Sequence, residues 1–95
     1  MTPEAEIDRA GKAYEILNNE VFKDAVSQIE TALLEGIKRA PLKDEVLRER
    51  ICAQIVALDS ILKALRSTID TGKLAKEQLR VDASKVSRIR EAFGY

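Results

Sequence analysis

The side chains able to do chemistry in this chain are few, and their types narrow what the chemistry is. There is no histidine, so the commonest general base and metal ligand at neutral pH is missing. The one cysteine, Cys52, has no imidazole to activate it and reads as a small buried hydrophobe rather than a nucleophile. A single cysteine gives no intrachain disulfide framework, which fits a reducing compartment. No glycine-rich loop follows a strand-like run, so phosphate-loop and dinucleotide motifs are absent. Asp44, Glu45 and Glu49 interleave with Arg48 and Arg50, a pattern that reads as a solvated, salt-bridged helix face rather than a carboxylate metal site. The expectation is a protein that is not an enzyme and needs no cofactor or metal.

What remains is basic charge. Lysine and arginine total 16, as do aspartate and glutamate, so the chain as a whole is no polyanion binder. The charge is nevertheless uneven. Residues 1–40 carry eight acids and five bases, residues 41–72 five of each, and residues 73–95 three acids and six bases. The basic tail presents Lys85, Arg88 and Arg90, with Tyr95 beside them. It has two readings. It meets phosphates or an acidic partner, or it is a last helix whose Val86, Ile89 and Phe93 dock at home while its charges face water. A base-stacking surface normally interleaves several aromatics with its cations, and Tyr95 alone is a thin version of one. A second cluster, Lys38, Arg39 and Lys43, brackets a turn, where cations at the negative end of a helix are favoured structurally in any case.

The elements that position these groups read as helices. Thr2-Pro3-Glu4 is a helix start, with a capping hydroxyl, a proline suited to the first helical position and an acid at the positive end. Ile7, Ala10, Tyr14, Leu17, Val21, Ala25, Ile29, Ala32 and Gly36 then advance by threes and fours, the period of an α-helix. This predicts one helix over about 3–39, kinked near Asn18, with Asn19 able instead to cap a separate second segment. Tyr14, on that stripe, is expected in the core. Residues 40–43 form the turn, because Pro41 cannot continue the hydrogen-bond ladder. A second helix over about 44–71 carries the seam Ile51, Ile55, Leu58, Leu62, Leu65 and Ile69, spaced four, three, four, three and four apart, with Gly72 expected as its cap. Residues 1–72 thus predict a long antiparallel helical hairpin and residues 73–95 a basic helical tail. The predicted fold class is all-α. Both long helices are apolar beyond one seam, so a homo-oligomer, a bundle or a ring of hairpins, is expected. No apolar run approaches the ~20 residues of a membrane span and the N-terminus lacks a signal-peptide pattern.

The runs Ala13-Tyr14-Glu15-Ile16-Leu17-Asn18-Asn19, Ala40-Pro41-Leu42, Ala57-Leu58-Asp59 and Ile69-Asp70-Thr71-Gly72-Lys73-Leu74-Ala75 resemble a group of small phage and prophage helical-hairpin proteins. The resemblance spans residues 10–79 and carries no catalytic or binding residue. It implies a phage product working in an infected bacterial cytoplasm or in a virion. Three functions are compatible with these features. The first is an oligomeric assembly or adaptor protein of the head or packaging machinery, whose tail engages a larger protein partner. The second is an anti-defence inhibitor that sequesters a nucleotide signal or blocks a host protein. The third is a nucleic-acid-binding accessory factor.

Overall fold

The computed structural model describes residues 1–93, Phe93 by its backbone alone. They form three α-helices and no strand: α1 (Pro3–Leu17), α2 (Glu20–Arg39) and α3 (Glu45–Phe93). The all-α class expected from the sequence is therefore the one observed. Three helix starts are capped: at Thr2, as the sequence predicted, at Asn19, which it offered as the alternative to one long helix, and at Asp44. The Thr2 hydroxyl accepts the Ala5 amide at 3.1 Å. The Asn19 side chain, on extended backbone, accepts the Phe22 amide at 2.9 Å. The Asp44 carboxylate accepts the Leu47 amide at 3.0 Å. Each satisfies one of the amides that a helix start leaves without an intrahelical partner.

Two predicted boundaries are corrected. The segment 3–39 is two helices, broken at Asn18-Asn19. An asparagine side chain competes for nearby backbone amides, and at Asn19 it starts a new helix. Gly72 does not end a helix at 71, because α3 runs unbroken to Phe93 and the tail 73–95 begins as its continuation. Gly72 is buried in mid-helix, and a Cβ built on it would overlap the Ala10 side chain and come within 3.2 Å of the Glu6 carbonyl oxygen. Here glycine serves close helix approach, and the good helix formers Leu74, Ala75, Lys76 and Glu77 that follow carry the helix onward.

The chain divides into two packed units. In the first, residues 1–14 pack on α3 from Arg66 onward. Small residues make this contact: Ala13 and Ala75 are buried, as is Gly72, with Ala10, Ile7 and Leu79 half-buried. Tyr14 is 61% exposed, not core. On that side the contact is set by alanine and glycine, which leave no depth for an aromatic ring.

In the second unit, residues 15–65, α2 and the first half of α3 form a hairpin joined at residues 40–44. Leu62 is the most enclosed member of the predicted seam, at 9% exposure. Ile51, Leu58 and Leu65 are half-buried, and Ile55 lies at the rim. Ile69, the sixth seam residue, is half-buried in the other unit. From α2 the inward residues are Phe22, Val26, Leu33 and Ile37, all half-buried. Gly36 brings the helices close, since a Cβ there would lie 3.4 Å from Ile51 Cδ1. The Arg48 guanidinium closes the turn, donating to the carbonyls of Ile37 (3.4 Å) and Ala40 (3.3 Å) and so satisfying acceptors that the end of α2 leaves open.

Candidate functional site

An apolar groove runs along one flank of the hairpin. Leu33 and Leu34 line it from α2 and Ile55, Val56, Leu58 and Leu62 from α3, enclosing about 310 Å³. Glu30 and Asp59 stand at its edge, and Asp59 holds Lys63 at 3.0 Å. Leu34 is 53% and Val56 64% exposed. No residue of α2 is fully buried. Burying a leucine or valine side chain is worth about 1.5–3 kcal/mol, so the exposed parts of Leu34 and Val56 leave some of that driving force unused. Both residues belong to the apolar surface beyond one seam that the sequence carries on its two long helices. The signal that unites them is a second row on α3, Glu45, Glu49, Cys52, Val56, Asp59 and Lys63, again spaced four, three, four, three and four. Cys52 belongs to this row and is exposed, which corrects the expectation of a buried thiol.

The basic residues predicted in the tail do not line this groove. Lys85, Arg88 and Arg90 are all exposed on the last turns of α3. Lys85 and Arg88 border a shallow depression of about 180 Å³ with Arg80, Val81 and Ser84. Arg80 is engaged with Glu77, its Nε donating to a carboxylate oxygen at 3.0 Å and a terminal nitrogen to the other oxygen. This two-pronged hydrogen bonding, and then the charge of Arg80, hold the Glu77 carboxyl below the usual glutamate range and raise the Arg80 guanidinium. Val86 and Ile89 are exposed, so they do not dock as the second reading of the tail required. Tyr95 lies outside the described residues, and the side chain of Phe93 with it.

At the turn, Lys38 and Arg39 stand 4.0 and 3.9 Å from the Glu35 carboxylate, and Lys43 is exposed. Lys38 and Arg39 occupy the last turn of α2, where the helix dipole favours cations. The acidic and basic residues at the start of α3 are not a simple ion-pair ladder: Asp44 is a cap and Arg48 binds carbonyls. Among the described residues, no group of three or more Cys, Asp or Glu is placed to hold a metal ion, and no helix is long and apolar enough to cross a membrane. No protein-family model, curated protein or solved structure matches the chain.

Proposed function

We propose that this chain is a self-associating helical binding protein, an assembly or adaptor component of phage type, without enzymatic activity. The hairpin of α2 and α3 forms the oligomer. The exposed basic end of α3 engages a larger, acidic partner. One observation carries this reading. Within the hairpin unit only Ala40 and Leu62 are buried, while Val21, Leu34, Val46, Val56 and Ile61 are each more than half exposed. A two-helix hairpin is a marginal structure in isolation, and apolar surface on several sides of it is what a further packed helix covers. The phage setting draws its support from the sequence resemblance over residues 10–79.

Light scattering at micromolar concentration tests self-association directly. A mass of two or more chains is expected; a monomer that keeps full helicity at all concentrations would refute it. For the tail, replacing Lys85, Arg88 and Arg90 with glutamine is expected to leave the melting temperature unchanged, because all three are exposed, and to lower the salt sensitivity of partner binding. Capture of a nucleotide is the weaker reading. The basic depression of about 180 Å³ falls short of the ~300–1,000 Å³ usual for ligand pockets. A nucleotide that bound it would raise the melting temperature by binding the native state alone.

A further inference from the structure

We infer, building on the self-association proposed above, that the flank bearing Leu34 and Val56 is an isologous interface on which a second copy packs antiparallel, α3 on α3 and α2 on α2. The charges on this flank single out that arrangement. On α3, Glu49 lies seven residues before Val56 and Lys63 seven after it, each about 10 Å along the helix from the centre. On α2, Glu30 and Lys38 lie four residues either side of Leu34. All four are exposed. Glu30 and Leu34 share one groove with Val56 and Asp59, so the two rows stand side by side. A two-fold axis lying in the face and crossing both helices at Leu34 and Val56 sets Glu49 against Lys63 of the second copy, and Lys38 against its Glu30. By symmetry each pair forms twice.

The alternative two-fold, with its axis along the helices, lays α2 of one copy on α3 of the other at the same level. It sets Glu30 against Asp59, a like-charge contact made twice. The opposite charges Lys38 and Glu49, and Glu30 and Lys63, then lie about 4–5 Å out of step along the helices, so the four charges align in the first packing and not in the second, which is how interface charges fix register. The area is adequate. Two helices about 30 Å long and each about 10 Å across present roughly 600 Å² per copy, or about 1,200 Å² in the pair, at the lower edge of stable protein interfaces.

The test uses the full chain and three single variants, measured by sedimentation equilibrium with circular dichroism as a check of folding. Leu34→Asp puts a charge on a half-exposed site at the centre and is expected to raise the dissociation constant at least about a hundredfold with helicity kept. Lys63→Glu and Glu49→Lys each convert two attractive contacts into two repulsive ones, and each alone is expected to weaken self-association roughly tenfold. Mixed together, they regain attraction at both contacts, so the mixture should form a heterodimer close to wild-type in affinity. An oligomer whose mass is indifferent to Leu34→Asp would place the interface on another flank and overturn the inference while leaving self-association intact. Weakening by both charge variants without recovery on mixing would overturn the antiparallel pairing. A wild-type chain that is monomeric would overturn the proposed function itself.

Discussion

Gly72 offers the sharpest test of the packing, because two well-understood effects act there in opposite directions. Replacing a mid-helix glycine with alanine ordinarily stabilises a helix by about 0.8–1.0 kcal/mol, through the backbone entropy that glycine loses on folding. At Gly72 the new methyl would overlap Ala10 and crowd the Glu6 carbonyl oxygen. These neighbours are a Cβ and backbone rather than the far end of a flexible chain, so they cannot swing aside and α1 must move away from α3. Overpacking of this kind costs about 1–3 kcal/mol. Moving α1 also loosens the alanine contacts around the buried Ala13 and Ala75. Set against the propensity gain, Gly72→Ala is expected to be destabilising, by up to about 2 kcal/mol. Gly11 is the control. It lies inside α1 with nothing within 4 Å of a built Cβ, so Gly11→Ala should show the propensity gain alone, up to about 1 kcal/mol. Urea titration followed by circular dichroism measures both. The double variant Ala10→Gly/Gly72→Ala should recover part of the loss, since it removes the methyl that the new one strikes. If Gly72→Ala stabilises as much as Gly11→Ala does, the close crossing of α1 and α3 is wrong.

Three further outcomes are expected. Leu62→Ala should cost about 2–3 kcal/mol, the effect of emptying an enclosed site, and Leu58→Ala less because Leu58 is half-buried; equal losses in the same urea titrations would place the seam in the wrong register. Asn19→Ala should cost about 1 kcal/mol and fray the start of α2, seen as faster amide exchange at Phe22 than at Val26. Carbon-detected NMR titration should find the Glu77 carboxyl titrating below the ordinary glutamate range, returning toward it in Arg80→Gln. A depressed folded-state value means that whatever stability the pair contributes is present above the unfolded pKa and lost as pH falls through the folded one.

How much of this was legible in the sequence varied with the length scale of the signal. The cap at Thr2 was readable because it depends on residue type within three or four positions. The seam from Ile51 to Ile69 was readable because a heptad spacing repeats through it. Gly72 was misread because its meaning lies in a residue 62 positions away, Ala10, and no local pattern distinguishes a glycine that ends a helix from one that admits a neighbour. Asn18-Asn19 was ambiguous for a related reason: the apolar stripe continues in step across the break, so periodicity alone favoured one helix. Arg48 looked like one more charge on a salt-bridged face, whereas its partners are carbonyl oxygens at Ile37 and Ala40, invisible to any count of opposite charges. Leu34 and Val56 were visible as surplus apolar residues, but their union in one groove required the register of the hairpin.

The single helix α3 contributes to both packed units, and it does so by two different means. Up to Leu65 it offers large aliphatics at heptad spacing, whose contact gains free energy through area removed from water. From Arg66 onward it offers Gly72 and Ala75, whose contact depends on backbones approaching closely. The first device tolerates substitution by another aliphatic of similar volume; the second tolerates almost no added atom. The two also differ in what they leave exposed. The small-residue crossing buries Ala13, Gly72 and Ala75, while Tyr14, Leu74, Val86 and Ile89 of the same unit stay exposed. A two-helix leucine seam leaves both flanks open, and here the open flank carries charges in a pattern that matches its own reversal. The unit held by leucine and isoleucine is therefore the one in which charged residues border an open apolar groove.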